Sequence, residues 1–223
     1  MVDVKGNISK IMATLPQNVE LLAVTKFHPV EILQEAYDYG LRRFGENRVQ
    51  ELLFKQPQLP SDIKWHFIGH LQSNKVRQII GRVEMIESVD TVRLLNIIDR
   101  ESLRAGVVTK VLLQLHVARE ESKFGFSVEE LMDFFENRGF ESLRATHICG
   151  LMGMASNTDD MERVASDFRE ISHCYNLIKN DGRLGLQGFD TLSMGMTNDY
   201  KVAIDEGSNH VRIGTALFGE REY

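Results

Sequence analysis

Leu21-Leu22-Ala23-Val24-Thr25-Lys26-Phe27-His28-Pro29 is the stretch on which the reading of the fold turns. An apolar run rich in branched residues ends in a lysine, and a proline follows three residues later. That is the pattern of a buried strand that stops and presents one amine at its tip. A lysine there sits at the mouth of its sheet, where desolvation lowers its pKa toward nucleophilic use. Read alone, the same pattern also fits a surface lysine at the start of a loop. The far end of the chain shifts the balance. Asp190-Thr191-Leu192-Ser193-Met194-Gly195-Met196 and His210-Val211-Arg212-Ile213-Gly214-Thr215-Ala216-Leu217-Phe218-Gly219 look like a pair of phosphate-cradling strand ends.

Outward from these segments, strand-like and helix-like patterns alternate along the whole chain. Strands are expected at 20–25, 42–45, 65–68, 85–88, 110–115, 145–150, 189–193 and 210–213. Between them lie amphipathic stretches at 30–39, 91–104, 128–138 and 158–179, with a shorter one around Val76, Ile79 and Ile80. The clearest places Met161, Val164, Ala165, Phe168, Ile171, Tyr175 and Ile178 on one face, with Thr158 as its N-cap. Ile8, Ile11, Met12 and Leu15 have helical spacing and predict an extra N-terminal helix. Eight βα units in 223 residues predict a single-domain (β/α)8 barrel spanning 1–223. An open doubly wound sheet is the rival, disfavoured because no GxGxxG follows the first strand.

The bulk composition narrows the partners. The chain is 43% hydrophobic and 26% charged, with a formal net charge of -6. A mildly acidic protein has no global electrostatic reason to seek nucleic acid or anionic membrane. There is no long uncharged apolar run and no secretory leader, so a cytoplasmic location is expected. Cys149 and Cys174 have neither CxxC nor ladder spacing and read as reduced thiols. His66 and His70 stand four apart but fall in a strand and beyond a glycine, so no metal site is expected. A monomer is the default expectation.

In a barrel of this kind the active site lies at the C-terminal strand ends. These supply Lys26 after strand one, Glu46 and Asn47 after strand two, and Gly69 and His70 after strand three. Strand four gives Ser88 and Asp90, strand five His116, and strand six Leu151-Met152-Gly153-Met154. Strands seven and eight supply Ser193, Met194 and Gly195, then Arg212, Gly214 and Thr215. A phosphate often sits after strands seven and eight of such barrels. Arg212, in an apolar strand, is a buried cation that needs a partner, which makes a structural ion pair the competing reading. One lysine, one phosphate cradle and one arginine across a barrel mouth point to a phosphorylated aldehyde held through a Schiff base; pyridoxal 5′-phosphate fits.

The same residues carry a family resemblance. The blocks are Ala23-Val24-Thr25-Lys26, Phe44-Gly45-Glu46-Asn47-Arg48-Val49-Gln50-Glu51 and Trp65-His66-Phe67-Ile68-Gly69-His70-Leu71-Gln72-Ser73-Asn74-Lys75, followed by Glu120-Glu121-Ser122-Lys123-Phe124-Gly125 and Gly150-Leu151-Met152. Leu192-Ser193-Met194-Gly195-Met196 and Val211-Arg212-Ile213-Gly214-Thr215 complete the set. In this order and at these intervals the chain resembles the pyridoxal phosphate homeostasis proteins, the YggS/PROSC family, whose fold-type III barrel is related to the N-terminal domain of alanine racemase. The resemblance implies that Lys26 carries pyridoxal 5′-phosphate as a Schiff base. It implies that Ser193, Gly214 and Thr215, with the backbone at Met194 and Gly195, hold the phosphate. It places Arg212 against the pyridine nitrogen and Asn47 near the ring. His116 and Asn209 depart from the family pattern.

The resemblance also implies a carrier in intracellular vitamin B6 balance, with pyridoxal-phosphate-dependent apo-enzymes as recipients. A guanidinium at the ring nitrogen disfavours its protonation and weakens the ring as an electron sink. The related racemases take a catalytic tyrosine from a second, C-terminal domain, whereas this chain ends at Tyr223, ten residues after Ile213. A non-catalytic carrier is therefore expected, with a small amino-acid racemase as the alternative. A phosphate-binding barrel enzyme that never meets pyridoxal phosphate is the third reading. Lys123 is a further lysine near the expected ligand.

Overall fold

In the computed structural model, which describes residues 2–117 and 124–220, eight parallel strands close into a barrel in sequence order. The strands are β1 (Glu20–Val24), β2 (Arg43–Glu46), β3 (Lys64–Phe67), β4 (Met85–Val89), β5 (Thr109–His116), β6 (Thr146–Met154), β7 (Thr191–Ser193) and β8 (His210–Ile213). Closure is made by β8 against β1, with Leu21 beside Val211 and Leu22 beside Arg212. The helices are α1 (Val4–Met12), α2 (Val30–Asp38), α3 (Val49–Lys55), α4 (Val76–Ile79), α5 (Val92–Ala105), α6 (Val128–Glu136), α7 (Met161–Asn180), α8 (Tyr200–Asp205) and α9 (Thr215–Phe218). This is the expected (β/α)8 barrel. The N-terminal helix is present as α1, and Asn7 Nδ2 ties it to the Leu217 carbonyl at 3.1 Å.

Two different cores result from the period-2 alternation of side chains across the barrel wall. Leu21, Ala23, Phe44, Trp65, Phe67, Ile86, Val111, Leu113 and Leu151 face outward and pack with the helices into the main hydrophobic core. Inside, a small apolar cluster of Met85, Leu112, Cys149 and Met152 stands apart from it, and Leu22, beside Arg212, is buried on the same inner face. The strands beside it contribute His66, Glu87, Ser193, His210 and Arg212, all buried. A barrel interior is more often layered with branched aliphatic residues. This one carries charge through its middle.

The lack of strict alternation in β6 has a local cause. Between Val111↔Ile148 and Leu112↔Gly150 the register slips by one residue. Cys149 and Gly150 together occupy one step of β5, a bulge that returns Leu151 to the outer face and Met152 to the inner one. Gly150 has φ +152°, and a Cβ there would collide with the Thr191 backbone carbonyl. Burial raises the Cys149 thiol to about 11.

Several local expectations are corrected. The long helix begins at Met161, because Asp160, not Thr158, accepts the Glu162 and Arg163 N–H groups as N-cap. Met161 is 42% exposed and Met12 49% exposed, so neither belongs to a buried face. The stretch 49–55 forms α3, which was not expected as a helix; its short apolar face, Val49 and Leu52, spans too few residues to show a period. No helix among the described residues is long and apolar enough to cross a membrane.

The bulge makes a stability prediction. Gly150→Ala will cost about 2–4 kcal/mol by urea unfolding, because strain and a backbone collision combine. Gly40→Ala, at φ +103° with open space around it, will cost only about 1 kcal/mol. Equal losses at the two positions would contradict this account of the bulge.

Candidate functional site

A cavity of about 650 Å³ opens at the C-terminal ends of the strands. Lys26, Asn47, Arg212, Gly214 and Thr215 all line it, so the structure brings together residues from β1, β2 and β8 that are separated by up to 189 positions in sequence. A smaller cavity of about 440 Å³ lies between α4 and α5, away from the strand ends; its lining residues Arg104 and Glu101 are bonded to each other.

Lys26 is held in place through its chain neighbours. Phe27 has φ +66°, a left-handed conformation that a phenylalanine adopts only when its surroundings fix it. Its N–H donates to Glu51 Oε1 at 2.5 Å. On the other side, the Thr25 hydroxyl donates to Glu46 Oε1 and the Thr25 carbonyl accepts from Lys55 Nζ, each at 2.7 Å. The same Lys55 ammonium reaches Glu46 Oε1 and Glu51 Oε1, both at 2.7 Å. Lys55 is 3% exposed. One buried cation from α3 thus clamps both flanks of the turn that presents Lys26, and Arg48 lies over the Phe27 ring at 4.7 Å. Sequence reading singled out Glu46 but missed Glu51 and Lys55. The signal was their i,i+4 spacing just after Phe44-Gly45-Glu46-Asn47.

Arg212 reaches the cavity yet is 4% exposed. Its Nη1 donates to the Ser193 hydroxyl at 2.6 Å and to the Ser193 carbonyl at 2.8 Å, and its Nη2 donates to the Gly153 carbonyl at 2.9 Å. The Ser193 hydroxyl donates onward to Glu87 Oε2 at 2.7 Å. Glu87 Oε1 meets His66 Nδ1 at 2.6 Å and His210 Nε2 at 3.2 Å. Burial alone would depress His210, but the Glu87 carboxylate outweighs it and holds the imidazole at about 9, so His210 is cationic at neutral pH. Burial lowers His66, which stays neutral. Against its own burial, Glu87 is held well below the usual carboxylate range by the His210 charge and the hydrogen bonds around it.

The phosphate side differs in detail from the expectation. Ser193, Met194 and Gly195 do not line the cavity. The Ser193 hydroxyl is committed to Arg212 and Glu87, and the Met194 N–H donates to the His210 carbonyl at 3.1 Å and to Ser208 Oγ at 3.2 Å. Gly195 turns the chain at φ +92°, where a Cβ would strike Ala203 and the Tyr200 backbone. The turn brings Thr197 into the cavity wall. Thr197 Oγ1 accepts the Ala216 N–H at 3.2 Å, which joins this loop to the first turn of α9 beside Gly214 and Thr215.

The remaining wall is polar. Asn47 Oδ1 is buried without a hydrogen-bond partner, and the absence of a Cβ at Gly69 lets that backbone pass against Asn47. His70 Nδ1 pairs with Asp90 Oδ2 at 2.9 Å, and the His70 ring stacks on Phe124 at 3.7 Å. His116 also lines the wall. Asn209 does not: it bonds the Leu192 N–H and the Asp190 carbonyl at the opposite end of β7. Lys123 lies outside the described residues.

His66, Glu87 and His210 offer three donor atoms within 4.8 Å of one another. The charge balance speaks against a divalent ion there. The cluster already pairs one carboxylate with a cationic His210 and, through Ser193, with Arg212. A divalent ion ligated here would have to displace the His210 proton, and it would compete with the Ser193–Arg212 link for the single Glu87 carboxylate. His66 and His70, four apart in sequence, bond to Glu87 and Asp90 respectively and share no site.

The clamp around Lys26 makes a pH prediction. Burial raises Glu46 to about 7, with Lys55 and Thr25 pulling it only part of the way back. A carboxyl whose folded pKa is raised contributes stability that is complete below the unfolded value, near 4.5, and lost as pH rises through 7. Wild type will therefore lose stability relative to Glu46→Gln between pH 5 and pH 8, by on the order of 1–3 kcal/mol. Chemical unfolding of both proteins across that range checks it, and a constant difference would contradict it.

Residues 3–222 match the family model described as alanine racemase, N-terminal domain. The pyridoxal phosphate homeostasis protein of Aquifex aeolicus is 39% identical over 205 residues, covering 92% of this chain and 88% of the relative. That of Schizosaccharomyces pombe is 37% identical over 210 residues, covering 92% and 85%. The structure of PipY from Synechococcus elongatus PCC7942, solved with PLP bound, superposes with a TM-score of 0.87 at 32% identity, covering 97% of this chain and 100% of that one. The alanine racemase of Clostridium difficile 630 shares the fold at a TM-score of 0.75 and 13% identity, with this chain spanning 57% of its length. The chain belongs to the alanine racemase N-terminal-domain family and, within it, to the pyridoxal phosphate homeostasis proteins.

Proposed function

We propose that this protein binds pyridoxal 5′-phosphate on Lys26 and acts as a non-catalytic carrier in the balance of that cofactor. The observation that carries the reading is the convergence of Lys26, Arg212 and the Thr197–Gly214–Thr215 wall on one cavity. The residues fit the group. A clamped lysine amine meets an aldehyde, a buried guanidinium meets a ring nitrogen, and the unpartnered Asn47 amide oxygen accepts from a ring substituent. Threonine hydroxyls and glycine backbone meet a phosphate. PLP-bound PipY, at 32% identity, supports the same assignment.

When bound, pyridoxal phosphate supplies the electrophilic aldehyde and a conjugated ring able to take up electrons. This chain's residues govern the rest. The Lys55 clamp fixes the backbone from which Lys26 projects. The permanently charged Arg212 supplies protons to hydrogen bonds and accepts none, so it favours a ring nitrogen that stays unprotonated and a ring that withdraws electrons weakly. The described residues that line the cavity include no tyrosine. These features favour carriage over turnover. The phosphate falls to Thr197, Gly214, Thr215 and the Gly195 turn, with Ser193 and Met194 acting from behind. Apo-enzymes that need the cofactor are the proposed recipients, and the protein is read as a cytoplasmic monomer.

The test is an absorption spectrum with pyridoxal phosphate, then borohydride reduction and peptide mapping. A new band and a borohydride-stable label on Lys26 are expected, both lost in Lys26→Ala; a label on another lysine overturns the assignment. Thr197→Val will weaken pyridoxal phosphate binding by about ten-fold while leaving phosphate-free pyridoxal unaffected. Equal losses for both ligands would remove Thr197 from the phosphate site. Turnover of amino acids by the loaded protein would replace the carrier reading with the racemase one.

A further inference from the structure

Arg212 poses a physical problem that the cofactor reading does not solve. It is a buried cation, and among the described residues no carboxylate is paired with it; its hydrogen bonds run to two carbonyls and one hydroxyl. A buried guanidinium without a counter-ion costs several kcal/mol. Two carboxylates act on it from a distance, Glu87 in the barrel interior and Asp199 on the cavity side, and Glu87 reaches it through a single atom, the Ser193 hydroxyl. That hydroxyl has one proton, and it goes to Glu87 Oε2 at 2.7 Å. Its lone pairs are thereby turned to Arg212 Nη1 at 2.6 Å. The order of donors is fixed from end to end: guanidinium to serine, serine to carboxylate. Behind Glu87, His66 is hydrogen-bonded to the other carboxylate oxygen and His210 Nε2 stands 3.2 Å from it, while His210 Nδ1 lies 3.7 Å from Glu20 Oε2 at the opposite barrel end. Asp199 stands on the cavity side and accepts the Met196 N–H at 2.5 Å.

We propose that Glu87 and Ser193 are positioning residues for the cofactor ring: Ser193 links the Glu87 carboxylate to Arg212 and so fixes the face and charge that Arg212 presents to the ring nitrogen. Neither residue lines the cavity, so both act through Arg212. Replacing this column with packed apolar residues would be neutral or stabilising for a fold of this kind, so stability alone does not account for it. It also separates Ser193 from the phosphate, to which the sequence had joined it. The inference rests on the reading of the cavity as a pyridoxal phosphate site.

The experiment compares wild type, Ser193→Ala, Glu87→Gln and the double variant, each with pyridoxal phosphate and with phosphate-free pyridoxal, well below the unfolding midpoint. Ser193→Ala is expected to weaken both ligands by the same factor, about ten-fold, as when a residue that orients a ligating group is lost. The band of the bound ligand should shift in the same variant. Glu87→Gln should behave alike, and the double variant should lose little more than either single one, because all three break one link. If Glu87→Gln does not fold, Ser193→Ala carries the test alone. Ile98→Ala, in the outer core, matches a loss of stability without touching the link, and should leave affinity and band unchanged. Loss of pyridoxal phosphate affinity alone, with pyridoxal unaffected, would return Ser193 to the phosphate and overturn the inference. Unchanged affinity and band in Ser193→Ala would also overturn it. Failure of wild type to take up pyridoxal phosphate is a different result, and it removes the underlying reading instead.

Discussion

The buried carboxylate of Glu87 is the constraint on which the interior of this barrel depends. It accepts from Ser193, is hydrogen-bonded to His66 and forms an ion pair with His210, in a space where apolar side chains would ordinarily meet. A carboxylate stripped of water is tolerated only when its hydrogen bonds are made and its charge is matched. His210 and Arg212 match it, and this pairs the interior of β4 with β8 and β7. The apolar stabilisation of the fold lies elsewhere, in the layer between strands and helices. The division frees the inside of the barrel for electrostatics.

A second buried ionic group repeats the logic at the rim. Lys55 joins Glu46 and Glu51 and takes the Thr25 carbonyl, so the turn at Thr25-Lys26-Phe27 has its geometry fixed from outside the barrel. Lys26 itself lines the cavity. Placing the supporting charges on α3 and the strand end β2 separates rigidity from reactivity. The amine projects from a held backbone, which is what a lysine that captures an aldehyde requires.

Much of this was legible in the chain. The strand ending in Lys26 and the two glycine-bearing segments after β7 and β8 gave the barrel mouth, and the helix carrying Phe168, Ile171, Tyr175 and Ile178 followed its period closely. What escaped reading was long-range. Ser193 stands in a hydroxyl–glycine motif that reads locally as a phosphate ligand, and nothing in that motif announces the bond its side chain makes to Glu87, 106 positions away. Thr197 was not singled out because its reach into the cavity depends on the left-handed turn at Gly195. The α3 clamp was invisible because seven residues are too few to show a periodic face. In each case the deciding contact joins residues whose spacing carries no local signal.

A crystal structure of the protein grown with pyridoxal phosphate tests the central claim most directly. The account predicts continuous density from Lys26 Nζ to the cofactor, the phosphate between Thr197 and the Gly214-Thr215 turn, and the ring nitrogen facing an Arg212 still bonded to Ser193. A cofactor seated with its phosphate away from that turn, or with Arg212 swung off the ring, would contradict it.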